Sequence, residues 1–166
     1  MASSHDSTVK PRWDGVPEHW GKGHYRDIPW SQWVLKCRER QINDLKRSQA
    51  NDPDFPYVFD WQKSEDAVWF FSCLRHFQSP FYGQPFILSD WQEWDIIRPL
   101  FGWMKRDGTR RFKEANIFIP KKNGKSPLAA GIAGILFLAD KEYGGQVVTA
   151  AGKEDQAKIV WDAARR

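Results

Sequence analysis

Apolar residues recur along this chain at helical spacing in some stretches and gather into short blocks in others. In "SQWVLKCRERQINDLKRSQ", Trp33, Val34, Cys37, Gln41 and Leu45 fall at near-helical intervals among charges, which predicts a surface helix. Two prolines in "NDPDFPYVFD" interrupt it. Ser64 is placed to cap "EDAVWFFSCLRHF", with Glu65 and Asp66 at the positive end of the helix dipole, and the aromatic content predicts burial. "GQPFILSDWQEWDIIRPLFGW" reads as a loop entering a helix at Ser89 or Asp90, which Pro99 ends or kinks near Arg98. "MKRDGTRRFKEANIFI" predicts a hairpin around Asp107-Gly108 that feeds a strand at Asn116 to Ile119. A helix from about Gly124 to Asp140, a strand in "GGQVVTAA" and a helix from about Lys153 onward complete the pattern.

The tail therefore reads strand, helix, strand, helix. A helix as apolar as "LAAGIAGILFLA" needs a wider sheet than two strands to cover it, and the chain stops at Ala164-Arg165-Arg166 without a helix stop signal. The sheet is expected to be incomplete and the sequence truncated. With 166 residues the chain is about one domain, and 41% hydrophobic with 28% charged residues is the composition of a soluble globular protein. Ten tryptophans are unusual, and Trp91, Trp94 and Trp103 are expected in the core. A net charge of +4 permits contact with polyanions. Cys37 and Cys73 form no CxxC pair and have no histidine at metal-ligand spacing, which argues against a disulfide or zinc framework. "MASSHDSTVK" lacks the apolar core of a signal peptide, and the run Leu128 to Ala139 is too short to span a bilayer.

The chemistry concentrates in "IFIPKKNGKSPLAAG". A phosphate-binding P-loop has the form G-x-x-x-x-G-K-[ST] between a buried strand and a helix, because backbone N–H groups and the helix N-terminus wrap the phosphates. Gly124-Lys125-Ser126 supplies the second half, whereas Ile119 stands in place of the first glycine. In the functional reading Lys125 contacts the β- and γ-phosphates, Ser126 coordinates Mg²⁺, and the amides of Asn123 and Gly124 line the cradle. In the alternative, GKS is a solvated turn at a helix start. Gln92 in "LSDWQ" could read an adenine edge through its paired donor and acceptor, while Ser89-x-x-Gln92 also spells a capping box. Asp140 and Glu142 resemble Walker B acids but follow the GKS helix without a strand crossover, and are read as a solvated helix end. Lys105, Arg106, Arg110, Arg111 and Lys113 surround the hairpin turn, where they could touch DNA phosphates or simply be solvated.

Taken in order, "PFILSDWQ", "LFGWMKRDGTRRFKEANIFIPKKNGKS" and "VVTAAGKEDQAKIV" resemble the ATPase domain of the large terminase subunit of tailed bacteriophages, and "WSQWVLKCRERQINDLKR" extends the resemblance weakly. The resemblance implies a motor that pumps double-stranded DNA into a procapsid, using ATP and Mg²⁺ in the host cell cytoplasm. It further implies a portal protein and a small terminase subunit as partners, a homo-oligomeric ring, and a C-terminal endonuclease. Its Walker A would be Lys121 to Ser126, with Lys122 inside it, and its adenine-reading glutamine Gln92. Val147 to Val160 would be the following strand and helix, with Gln156 inside. The family commonly carries an arginine where Lys121 stands, and lysine keeps the charge without the planar fork.

The resulting expectation is an α/β fold with a P-loop NTPase-type sheet and flanking helices, incomplete, preceded by a helical N-terminal lead-in. Residues 1–16 are expected to be a polar, disordered tail, 17–85 the lead-in, and 86–166 the first part of the ATPase domain. Walker B, the coupling segment and the nuclease carboxylates are expected to lie beyond, so this chain alone is expected to be inactive as an ATPase. A helicase-like translocase also combines an upstream glutamine with a P-loop, but the "DG…RR…PKKNGKS" arrangement disfavours it. A non-catalytic DNA- or protein-binding module with an incidental GKS turn is the rival from another class.

Overall fold

Ser31 accepts the Val34 amide on its hydroxyl and starts α1 (Gln32–Gln49) where the periodicity places a helix. In the computed structural model, which describes residues 24–25, 28–76, 79–121, 123–138 and 146–165, the inward face of α1 differs from the expected one. Trp33 is 67% exposed and Cys37 is exposed, whereas Arg38 and Asp44 are buried beside Leu45. Polar groups can be buried when each finds a partner. Arg38 donates to both Asp95 carboxylate oxygens at 2.8 and 2.6 Å, Asp44 pairs with Arg111 at 2.7 Å, and Gln41 accepts from Trp103 Nε1 at 2.8 Å. The Ser48 hydroxyl accepts the Phe59 amide. The residue that turned the helix is therefore a partner more than fifty positions away, not the apolar period.

Before α1, β1 (His24–Tyr25) pairs antiparallel with β2 (Ile28–Pro29). After it, β3 (Tyr57–Phe59) pairs antiparallel with β4 (Trp103–Lys105), with Val58 opposite Met104. Trp103 is fully buried here against Leu45, Phe55 and Phe59, meeting both phenyl rings edge-on. Gly102 is required at this junction, since a Cβ would collide with the Phe59 ring. The turn after β4 lies where Asp107-Gly108 predicts it. Gly108 has φ +84° and donates to the Lys105 carbonyl, while the Asp107 carboxylate accepts the Thr109 hydroxyl and amide, which hold its pKa below the ordinary range.

Beyond the turn the expected sheet is not seen. The returning arm makes one bridge, Met104 to Arg110, and a bond from the Arg111 amide to the Trp103 carbonyl. Asn116 to Ile119 and Val147 to Ala150 belong to no strand among the described residues, and Phe118 is 93% exposed. A strand is defined by a neighbour that shares its ladder, and neither segment has one here. Mixed helix and strand content is as expected, with the strands confined to two small two-stranded sheets.

α2 (Trp61–Cys73) starts four residues earlier than its sequence suggests. Asp60 caps it by accepting the Lys63 amide, and Ser64 is fully buried where Arg98 reaches it. A helical path runs through α3 (Asp90–Gln92), a π-helical turn (Glu93–Ile97) and α4 (Arg98–Gly102). Pro99 does not end it: the π turn changes the hydrogen-bond register just before Pro99, which occupies the start of α4, where its missing N–H is tolerated. α5 (Lys125–Leu138) and α6 (Glu154–Arg165) follow and pack on each other. The tail at 1–16, Lys122, Asp140 and Glu142 lie outside the described residues.

The small residues of α5 serve a helix rather than a sheet. Gly131 faces the buried Phe71 ring of α2 so closely that a Cβ would overlap it, and Gly134 faces Phe70. Gly131→Ala should therefore destabilise the fold by about 1–3 kcal/mol, the usual range for overpacking. Urea unfolding checks this, and Phe71→Leu in the same chain should recover part of the loss; an unchanged midpoint for Gly131→Ala would contradict the packing.

Candidate functional site

The loop between Ile119 and Lys125 closes on itself. Lys125 Nζ donates to the carbonyls of Ile119 at 3.0 Å and Pro120 at 3.2 Å, and Asn123 Nδ2 reaches the carbonyls of Pro120 and Lys121. Gly124 turns the chain into α5 with φ +69°, a conformation that favours glycine. α5 then begins at Lys125, and helix geometry leaves the first-turn amides of Lys125 and Ser126 without partners inside the helix. Pro127 has no N–H to leave over. Lys121, Asn123 and Lys125 are exposed, and Ser126 is half-buried.

Gln92 arrives at this loop from the other side. It is 6% exposed, its Oε1 accepts the Ser89 amide at 3.0 Å, and Ser89 and Gln92 form the capping box that the sequence spells. Because the Ser89 N–H can only donate, it fixes which end of the carboxamide is oxygen. Nε2 is therefore directed elsewhere, and it lies 3.4 Å from where a Cβ on Gly124 would stand. The core explains this approach. Leu88, Ile97 and Leu128, which flank the two segments, are buried in one cluster with Phe71, Phe86 and Phe101. Each such side chain contributes about 1.5–3 kcal/mol of burial, enough to hold Gln92 against Gly124 without any bond between them.

Residues 90–166 match the family model described as terminase large subunit, ATPase domain. This segment is similar to that family. No curated protein and no solved structure matches the chain. The terminase ATPase segment thus begins at the helix that carries Gln92 and includes the whole 119–126 loop; α1 and α2 precede it. ATP binding and DNA packaging apply to it at the level of the family.

Most of the basic hairpin is committed to contacts within the chain. Arg111 pairs with Asp44 and lies 4.3 Å from the Tyr57 ring centroid, Arg106 donates to the carbonyls of Asp52 and Phe55, and the Arg110 guanidinium lies over Phe101. Trp103 is core as expected, while Trp91 and Trp94 are half-buried, Trp94 under the Arg98 guanidinium at 4.5 Å.

Arg98 itself was not singled out by sequence reasoning. It bonds Glu93 at 2.7 Å and Glu65 at 2.9 Å, joining α2 to the helix that carries Gln92. Residues 93 and 98 are five apart, which is not a neighbouring spacing on an α-helix; the π turn brings them together.

Among the described residues no group of three or more His, Cys, Asp or Glu side chains could hold a metal, and none of the helices is long and apolar enough to cross a membrane.

Proposed function

We propose that residues 119–126 bind the phosphates of ATP and that Gln92 reads its base, in a motor that packages double-stranded DNA. The single observation that supports this reading best is the approach of Gln92 Nε2 to Gly124, which joins a base-reading side chain to the phosphate loop from a separate element. The residues fit the group: the loop combines a positive-φ glycine, two first-turn amides and a lysine on one helix start. Lys125 would exchange the carbonyls of Ile119 and Pro120 for the β- and γ-phosphates, and Asn123 and Gly124 would offer amides to the same oxygens. Lys121, and Lys122 beside it, would add positive charge near the γ-phosphate. Ser126 is the ligand this loop could give to Mg²⁺, which characteristically takes few protein ligands besides phosphates and water and neutralises phosphate charge when bound.

On this reading Asn116 to Ile119 would be the first strand of a P-loop-type sheet, since it leads directly into the loop. At family level the partners would be double-stranded DNA, a portal protein, a small terminase subunit and further copies of the same chain in a ring, within the host cell cytoplasm. The associated endonuclease is part of the same proposal.

Gln92 tests the base-reading half. Gln92→Ala should lower ATP affinity about tenfold more than GTP affinity, because a paired hydrogen bond to a base contributes about 1–3 kcal/mol. Loss of the cap alone should cost about 0.5–2 kcal/mol of stability and weaken both nucleotides alike. Nucleotide titrations followed by intrinsic fluorescence distinguish these outcomes, and equal loss for ATP and GTP would leave Gln92 as a cap only.

A further inference from the structure

The outward face of α1 carries an array that the nucleotide reading does not use. Trp33, Lys36, Arg40, Asn43 and Arg47 recur at intervals of three and four, are all exposed, and fall within an arc of roughly 80° at 3.6 residues per turn. The arc contains no acid; Glu39 lies to one side of it. Lys36 Nζ stands 5.2 Å from the centroid of the Trp33 ring. Arg47 bonds Asp52, whereas Lys36 and Arg40 have no carboxylate within ion-pair distance among the described residues. Lys36 and Arg40, four apart, repel each other, which an anion on this face would relieve.

We propose that this face of α1 binds the phosphate backbone of double-stranded nucleic acid. From Lys36 to Arg47 the array extends about 16 Å, and a duplex offers one negative charge per about 1.7 Å of its axis, a continuous partner for a linear row of cations. The planar fork of Arg40 and the amide of Asn43 suit phosphate oxygens, and the exposed Trp33 gives the row an apolar end against a sugar face. The opposite face explains why the row is rigid. Arg38 to Asp95, Gln41 to Trp103 and Asp44 to Arg111 fix α1 to the segment that follows Gln92, so little ordering is lost on binding. α1 lies outside the residues matched by the terminase family, and the surface is independent of the nucleotide reading.

The test titrates the full chain, without nucleotide, onto a fluorescein-labelled duplex of about 30 base pairs between about 50 and 200 mM salt. Lys36→Ala/Arg40→Ala should make the slope of log K against log salt shallower by about 1.8, because each phosphate contact contributes about 0.9. Lys46→Ala, exposed on α1 but off the array, should leave the slope unchanged, and Trp33→Ala should weaken binding without altering it. Both charge variants remove exposed side chains, so unfolding midpoints should stay at the parent value. No binding by the parent chain, an unchanged slope in the double variant, or an equal change in Lys46→Ala would overturn the proposal. So would displacement by poly-glutamate as effective as by unlabelled duplex, which would make the face an acidic-protein surface instead.

Discussion

On the proposed phosphate-loop reading, Lys125→Ala should abolish the thermal stabilisation expected from ATP with magnesium. At a nucleotide concentration about a hundredfold above Kd, binding to the native state contributes about 2.7 kcal/mol, and the whole of it should vanish with the ammonium group. The variant itself should fold normally. Lys125 is exposed, and its bonds run to carbonyls of its own loop, which water can satisfy in its absence. Differential scanning fluorimetry with and without nucleotide therefore separates the site from the fold: the nucleotide-free midpoint should stay within about 1 °C of the parent, the usual effect of a surface change. An identical ATP-dependent shift in parent and variant would sink the phosphate-loop assignment and return the GKS segment to an incidental helix start.

Asp44→Ala should be the more damaging change to stability. It removes the carboxylate that faces Arg111 at 2.7 Å, with both side chains largely buried. Arg111 would remain among the rings of Phe55, Tyr57, Trp103 and Phe112, with Nη1 already buried and lacking a hydrogen-bond partner among the described residues. Breaking a buried pair from one side costs about 3–5 kcal/mol, and the residual exposure of this one places it near 3. Urea unfolding should show that loss. Asp44→Leu combined with Arg111→Met should recover most of it, since replacing both charges by apolar groups leaves no uncompensated ion. A loss below about 1 kcal/mol for Asp44→Ala would mean that α1 is held chiefly by Leu45 and the Arg38 pair.

These two expectations differ in how far they could be read from sequence. The candidacy of Lys125 could be read because an apolar run, a glycine and a helix start are contiguous, and each is set by neighbours within a few positions. The same locality made the Ser89–Gln92 cap, the Asp107-Gly108 turn and the starts of α1 and α5 readable in advance. Asp44 could not be found that way. Its role, like those of Arg38, Gln41 and Arg98, depends on a partner more than thirty positions distant, and a buried charged residue looks in sequence like any solvated one.

The sequence by itself determined where α1 and α5 begin and where the Asp107-Gly108 turn lies, because capping hydrogen bonds and glycine's conformational freedom act over one turn of chain. It also carried the ordered motifs by which residues 90–166 match the terminase ATPase family model. Tertiary structure decided which face of α1 turns inward, that Ser64 is buried rather than a cap, and that the glycines of α5 receive aromatic rings from α2. It also decided that Gln92 meets Gly124, thirty-two positions away, through a shared core and not through any local signal. Burial and ion pairing are satisfied by whichever groups meet in space, and no local pattern encodes that meeting.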